Sequence, residues 1–489
     1  MEKRKASELS MNDVLNSIPR VAQVEIGVVP LRHDGTKMHF GRSASLDEQQ
    51  LASAQARLSA VYDKPFTFVA VPDKVLNDFL AMDYSTISAE ELSARLGTVQ
   101  ANTEGAVAEL VDKILSAAVN LRASDIHVEP TADKLLIRIR VDGMLEDLVR
   151  LPQSLAGPLV SRLKVQAQMN IVERRRPQDG QFSSKVGSEE FDIRVATIAT
   201  LYGEKAELRL LYTTRAVQDL GELGISPTSY DRYKRMIQSQ NGLIIASGPT
   251  GSGKTTTLQS TLRVLNTPDR NVSTIEDPVE YIVPGVNHVP VIEEIGIGFA
   301  EQLRALLRQD PDIILVGESR DSETARISFQ AAMAGRLVLT SIHASDAVST
   351  IHRLFQMDVE PHLVAAALRG IVAQRLVRKN CDYCTTSYKA TNSEKLLLGF
   401  GAEVELKLAR GVGCSLCRGS GFLDRIGVYQ ILPISDKMRD LIATRPDMAT
   451  LNDLAKKEGV KSLAAEAYEL AIRGLTTIEE VSRLVGSDV

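Results

Sequence analysis

Tryptophan is absent from this chain, and 11 phenylalanines with 11 tyrosines hold the aromatic share to 4%. Proteins that coat nucleic acid or thread single strands rely on aromatic faces among basic residues. A formal charge of −5 with no aromatic-rich basic tract argues against that class, so no nucleic-acid partner is expected. Long apolar runs are missing as well. None reaches the 18 residues that a membrane-crossing helix needs, and the stretch from Leu363 to Ala373 is broken by Arg369. The opening MEKRKASELSMNDVL is charged without an apolar segment, which excludes a secretory signal and predicts a cytosolic chain whose membrane contact is indirect. Cysteine is scarce: there are four, all in two C-x-x-C pairs, Cys381/Cys384 and Cys414/Cys417. In a reducing compartment, two pairs with nothing left over point to four thiolates around a structural zinc; a redox pair is the alternative for either C-x-x-C alone.

What is present is ordinary globular material, 489 residues with 44% apolar and 24% charged, enough for about three domains. Its strongest motif is Gly248-Pro249-Thr250-Gly251-Ser252-Gly253-Lys254-Thr255, which fits G-x-x-x-x-G-K-[ST] at every fixed position, with Thr256 following. The apolar Leu243–Ala246 predicts a buried strand feeding the loop, and Thr255 onward predicts a helix. Backbone N–H groups of such a loop close around a polyphosphate, Lys254 neutralises its outer oxygens and Thr255 holds Mg²⁺.

Three further segments end in polar residues where apolar strands stop. Val272–Glu276 leads into Asp277 and Glu280; the run Asp312–Val316 leads through Gly317 to Glu318; Leu337–Ile342 leads to His343. Parallel α/β sheets bind ligands beyond the carboxyl ends of their strands. Glu318 is therefore expected on Mg²⁺, delivered by a buried strand beside the phosphate-loop strand, and His343 near a γ-phosphate. Helices are predicted over Leu220–Ile237, Phe299–Gln309, Ser322–Ala334, Ala347–Gln356, His362–Leu376 and through most of Ser435–Val489.

Upstream, residues 1–100 predict a small α/β module, with strands at Val24–Leu31 and Met38–Phe40 and a helix over Leu46–Val61. A linker ends at Asn102-Thr-Glu-Gly105, and Ala106–Asn120 repeats apolar residues at helical spacing. In Leu136–Val141 alternation sets Arg138 and Arg140 on one strand face, either simply solvated or able to reach a phosphate in a neighbouring subunit. The basic turn Glu173–Gly180 precedes strands at Phe191–Ile198 and Lys205–Leu211.

Taken in order, Ser124-Asp-Ile-His-Val-Glu129, Arg138-Ile-Arg-Val-Asp-Gly143, Arg176-Pro-Gln-Asp-Gly-Gln181, the phosphate loop, Thr274-Ile-Glu-Asp-Pro-Val-Glu280, the run Leu307 to Glu318 and the four cysteines resemble the bacterial secretion ATPases of type II secretion and type IV pilus assembly. The resemblance covers roughly residues 105–435. It implies an α/β chain with an N-terminal docking module (1–100), a PAS-like middle domain (105–215) and a RecA-like motor domain (220–489) that carries a tetra-cysteine zinc insertion at 379–429. It further implies a homo-hexamer that binds ATP, Mg²⁺ and Zn²⁺ and works with inner-membrane platform and docking proteins.

Carried onto matching positions, the resemblance makes Glu276 the residue that activates water, Glu318 the Mg²⁺ acid, His343 a histidine-box residue, and Arg138 and Arg140 sheet arginines that complete the site, with Arg194 and Arg209 as weaker candidates. Three positions depart from the family: Ser319 where an apolar residue is usual, Arg336 where a histidine often stands, and Leu423-Asp-Arg after the last cysteine. The alternatives are a RecA-like nucleic-acid translocase and a nucleotide-gated scaffold with little hydrolysis.

Overall fold

The computed structural model describes residues 11–81, 104–186, 189–212, 218–292 and 295–486; Asn102 and Thr103 of the expected linker lie outside them. The chain forms two compact units, residues 1–214 with 381–386 and 411–423, and residues 215–380 with 387–410 and 424–489.

In the first unit, helices α1 (Met11–Leu15) and α2 (Arg20–Ile26) lead to strands β1 (Val28–His33) and β2 (Met38–Ser43), helix α3 (Glu48–Val61), strand β3 (Phe66–Val71) and helix α4 (Asp73–Ala81). The strand expected over Val24–Leu31 starts later. Buried Gln23 donates from its amide to the carbonyls of Leu15 and Ile18 at 2.9 and 3.1 Å, locking a helical turn that Gly27 ends at φ +74°. Helix α3 opens with a reciprocal cap between Asp47 and Gln50. Phe40 meets Tyr62 and Phe66 edge-on, at ring centroids 5.3 and 5.9 Å apart, closing a small core.

Helix α5 (Glu104–Asn120) then precedes β4 (Asp125–Pro130), β5 (Lys134–Val141), β6 (Met144–Pro152), α6 (Ala156–Gln166), β7 (Gln178–Val186), β8 (Glu189–Thr200) and β9 (Gly203–Tyr212). These six strands pair antiparallel in the order β6-β5-β4-β9-β8-β7. Leu110, Val111, Ile114 and Leu115 of α5 and Leu159 and Leu163 of α6 bury Ile126, Ile137, Ile139 and Leu208 on one face. The opposite face holds the polar positions of the same strands. Lys164, 1% exposed, donates to the Glu173 carbonyl at 2.7 Å and pairs with Glu204, so the basic turn is braced from beneath while Arg174, Arg175 and Arg176 are exposed.

The second unit runs α7 (Pro227–Ile237), β10 (Gly242–Ser247), α8 (Lys254–Leu265), β11 (Val272–Glu276), β12 (Asn287–Pro290), α9 (Phe299–Leu306), β13 (Ile313–Val316), α10 (Ser322–Met333), β14 (Leu337–Ile342), α11 (Ala347–Gln356), α12 (Pro361–Ala367) and β15 (Leu368–Asn380). Strands β16 (Thr385–Lys389) and β17 (Lys407–Gly411) form a two-stranded ribbon, and β18 (Phe422–Pro433) completes a seven-stranded sheet of order β12-β11-β13-β14-β10-β15-β18. Neighbours from β12 to β15 are parallel. β10, β11, β13 and β14 are buried at every position, with β13 (Ile313–Val316) apolar throughout and Ser273, Thr274 and Glu276 the polar members of β11. Four helices between Asp436 and Gly486 close the chain.

Two expectations fail here. The helix predicted over His362–Leu376 stops at Ala367, and β15 takes over as an interior strand between β10 and β18. Gly370 explains the change. A Cβ there would collide with the Met236 side chain and come within 3.0 Å of the Leu432 carbonyl, so this segment is shaped for close packing inside a sheet. The strand leading to Glu318 is also not beside the phosphate-loop strand, because β14 lies between them.

Candidate functional site

The phosphate loop joins β10 to α8, and its backbone is closed by its neighbours. Gly248 sits at φ +152°, and a Cβ there would come within 2.5 Å of both the Gln374 carbonyl and Ser252 Oγ. Its N–H donates to Ile342 at the end of β14 at 3.3 Å. Fully buried Gln374 on β15 donates from Nε2 to the Ser252 carbonyl at 2.7 Å. That brace was missed because Gln374 falls within the expected helix; once the segment is a strand beside β10, its polar side chain points to the loop.

Lys254 starts α8 and donates from Nζ to the carbonyls of Gly248 and Pro249 at 2.9 and 3.0 Å. Burial pushes its ammonium down to about 8, against the upward pull of Glu318 and with Arg375 adding to the fall. Thr255 and Thr256 follow in the first turn, both half-buried, while Pro249, Thr250 and Gly251 are exposed. Glu318, one residue beyond the Gly317 that follows β13, pairs with Arg320 at 2.6 Å and stands 3.9 Å from His343 Nε2. Burial, and then the charge of Lys254, hold the His343 imidazole below its ordinary value. Lys254, Glu318 and His343 therefore share one field at the carboxyl edge of the sheet.

Glu276 closes β11 and is buried at 4% exposure. Its Oε2 accepts from Gln259 Nε2 at 2.9 Å, and its Oε1 lies 3.0 Å from His288 Nδ1. The two acids thus differ in company: Glu318 faces cations, Glu276 faces an amide and an imidazole. Neither Gln259 nor His288 was singled out in the sequence, because one hides inside a helix and the other on a short strand after a loop.

Two family departures have local explanations. Ser319, 5% exposed, exchanges a 3.0 Å hydrogen bond with Thr340 on β14, which satisfies a hydroxyl in an apolar place. Arg336 precedes β14 at the end of the strand opposite His343, half-buried, with Nη1 donating to the Ala334 carbonyl at 3.1 Å. For Leu423-Asp-Arg nothing in the structure offers a reason.

Arg138 and Arg140 lie in the first unit, on the sheet face away from α5 and α6. Arg138 grips Glu129 Oε2 through Nε and Nη2 at 2.7 and 2.6 Å. Asp125 takes Arg140 Nε at 3.7 Å and Arg209 Nε at 3.1 Å. Arg194 stands opposite Arg209 on β8. Asp125, His127 and Glu129 alternate along β4, and the register between β4 and β5 brings the two acids beside the alternate arginines of β5.

Also in the first unit, the four cysteines are buried and free of disulfides. Their sulfurs lie within 4.8 Å of one another, with Cys381–Cys414 at 3.7 Å, Cys384–Cys417 at 3.8 Å and Cys414–Cys417 at 3.7 Å. A tetrahedral zinc with sulfurs at about 2.3 Å requires edges of about 3.8 Å, so the donor set fits. Cys417 Sγ also accepts the N–H groups of Cys414 and Gly421 at 3.1 and 3.3 Å, as a thiolate would. The knuckle seats the N-terminal sheet: Ser415 donates from N–H to the Leu31 carbonyl at 2.9 Å and from Oγ to that of Pro30 at 2.6 Å. Arg418 pairs with Glu146 of β6 at 3.2 Å.

With this geometry in place, the chain can be set beside known proteins. It is 36% identical over 471 residues to the type IV pilus assembly ATPase PilB of Thermus thermophilus, covering 93% of this chain and 52% of that one, so it spans about half of that relative's length. It is 37% identical over 407 residues to type II secretion system protein E of Aeromonas hydrophila (83% and 81% covered), and 35% identical over 450 residues to the type II secretion system ATPase E of Vibrio cholerae (92% and 89%). Among solved structures, the Legionella pneumophila ATPase DotB matches in fold with a TM-score of 0.59 at 22% identity, covering 77% of this chain and 95% of that one. The pilus retraction motor PilT with bound ADP matches at 0.51 and 26%, with 76% and 96% covered. Among the described residues no helix is long and apolar enough to cross a membrane. A family model described as Type II/IV secretion system protein matches residues 100–483, and the chain belongs to that family.

Proposed function

We propose that this chain is a Mg²⁺-dependent ATPase that powers assembly of a type IV pilus or a type II secretion pseudopilus. The carrying observation is the meeting of Lys254, Glu318 and His343 at one sheet edge, with Glu276 closing a neighbouring strand of the same sheet. Bound ATP supplies the β–γ phosphoanhydride, and Mg²⁺ neutralises charge on its oxygens. Residues 248–256 would hold the nucleotide by backbone N–H groups and Lys254; Thr255 and Glu318 would hold Mg²⁺. Glu276 would take a proton from water as the water's oxygen bonds to the γ-phosphorus and the bridging bond to the ADP oxygen breaks, so ADP and phosphate leave and the proton returns to solvent. Arg138 and Arg140, once turned from Glu129 and Asp125, would stabilise the transferring phosphoryl group of a neighbouring chain.

The family's role implies an oligomer working with a membrane secretion system. We take that oligomer to be a ring of six, held at the cytoplasmic face of the inner membrane by platform and docking proteins, with domain motion driving the platform. Zinc in the cysteine cluster would be structural, since four protein ligands leave no open position; metal analysis should give about one zinc per chain. The deciding test is turnover per chain against protein concentration, with Glu318→Gln as control. A rate that climbs with concentration and vanishes in the control supports shared sites in a ring. Tight ATP binding with a flat, near-zero rate, even with the membrane platform added, would favour a scaffold instead.

A further inference from the structure

The surroundings of Glu276 assign a role to a residue outside the phosphate loop. His288 lies on β12 directly opposite Thr274 of β11, two residues before Glu276. Its side chain is 10% exposed and that of Glu276 5%. The Val283 N–H donates to His288 Nε2 at 3.1 Å. That nitrogen must therefore carry a lone pair, which places the proton of the neutral ring on Nδ1. An imidazolium would set N–H against N–H at this contact. Nδ1 has two acceptors in reach, Thr274 Oγ1 at 2.9 Å and Glu276 Oε1 at 3.0 Å, and the carboxylate is the stronger. On the other side, Gln259 of α8 donates to Oε2 at 2.9 Å.

We infer that His288 is a positioning residue for ATP hydrolysis: together with Gln259 it fixes the plane of the Glu276 carboxylate through neutral N–H donors. The inference rests on the reading of Glu276 as the proton acceptor. The choice of donors has a chemical reason. Lys or Arg at this place would pair with the carboxylate's charge and compete with the incoming proton, whereas a neutral donor orients the group and leaves that charge to act on water. Each carboxylate oxygen has two lone-pair sites, so one donor apiece leaves one apiece open. Val283 adds a second link, because the segment joining β11 to β12 is tied to the same ring.

The two jobs of the ring separate by substitution in the full chain. His288→Asn sets an amide N–H where Nδ1 was; His288→Gln reaches the place of Nε2 and can accept from Val283; His288→Ala does neither. We expect His288→Ala to lower kcat about 10- to 100-fold with KM for ATP within about twofold of the parent, a loss typical of a misplaced catalytic group. His288→Asn should recover most of kcat and His288→Gln little. Parental kcat in His288→Ala, or recovery by Gln equal to that by Asn, overturns the inference. Should the alanine variant fail to fold, the Asn and Gln pair decides alone. Glu276→Gln runs alongside: if it turns over like the parent, the reading of Glu276 itself falls, whereas a dead Glu276→Gln beside a fully active His288→Ala removes only His288.

Discussion

Two sheets in this chain handle charge in opposite ways. In the second unit the parallel strands β10, β11, β13 and β14 are buried throughout, so polar groups collect beyond their ends: Lys254, Glu276, Glu318 and His343 all lie at or past a strand terminus. In the first unit the antiparallel β4, β5 and β9 have one covered face, and alternation spreads Asp125, Glu129, Arg138, Arg140, Lys205 and Arg209 across the other. A parallel sheet makes a point of chemistry; an antiparallel sheet makes a field. Within that field every arginine described has an acid beside it, so its charge is stored in pairs.

The sharpest way to break this contrast is to disable each sheet separately. Lys254→Ala should reduce ATP turnover to background, because its ammonium is the charge that would neutralise the outer phosphate oxygens; unchanged hydrolysis would remove the site assignment. Arg138→Ala should lower kcat by about 10³-fold while leaving ATP affinity nearly intact, the signature of a transition-state arginine. If the field acts on a neighbour's point, two inactive variants must complement each other. Mixing Lys254→Ala with Arg138→Ala chains should regenerate roughly a quarter of the sites by random assembly in a ring; no recovery would mean that the arginine serves its own chain or none.

A smaller effect follows from Lys254 alone. Its ammonium titrates at about 8 in the free protein, lowered first by burial. Phosphates favour the charged form, so ATP affinity should hold near pH 7 and fall by up to about tenfold per unit above pH 8, with nucleotide binding taking up a proton there. Calorimetry in buffers of different ionisation heat reads that proton directly. Smallest of all, Ser319→Ala should cost about 1 kcal/mol of stability by stranding the Thr340 hydroxyl, with kcat unchanged. A large loss of kcat would show that this departure from the family bears on catalysis.

Legibility in the sequence followed the same division. Strand ends were readable because an apolar run that stops at a charged residue marks where the strand finishes; Glu276, Glu318 and His343 were placed at or just past strand ends that way. Order within the sheet was not, and β14 sits where β13 was expected, since periodicity carries no information on neighbours. The face of β5 was readable by alternation, but the acids that pair with its arginines needed the register between β4 and β5. Helix and strand were confused at 368–376, where the unbroken buried run 370–374 shows no alternation to reveal its period. His288, Gln259 and Gln374 act through contacts made by folding alone, and a single neutral polar residue inside an element gives no local sign of its partner.

The bond from Ser415 Oγ to the Pro30 carbonyl joins residues 385 positions apart. A ribosome adding roughly 5–20 residues per second takes on the order of 20–80 s to cover that distance. Throughout that interval β1 has emerged and its seat has not yet been made. The apolar side of the N-terminal sheet formed by Val29, Leu31 and Val71, which packs with Leu76 and Phe79 of α4 and with the cysteines in the finished protein, lacks its cysteine cover during synthesis and is there open to chaperones or to neighbouring nascent chains. Capture of metal by the last two cysteines would then mark the moment at which the first strand made is finally put away.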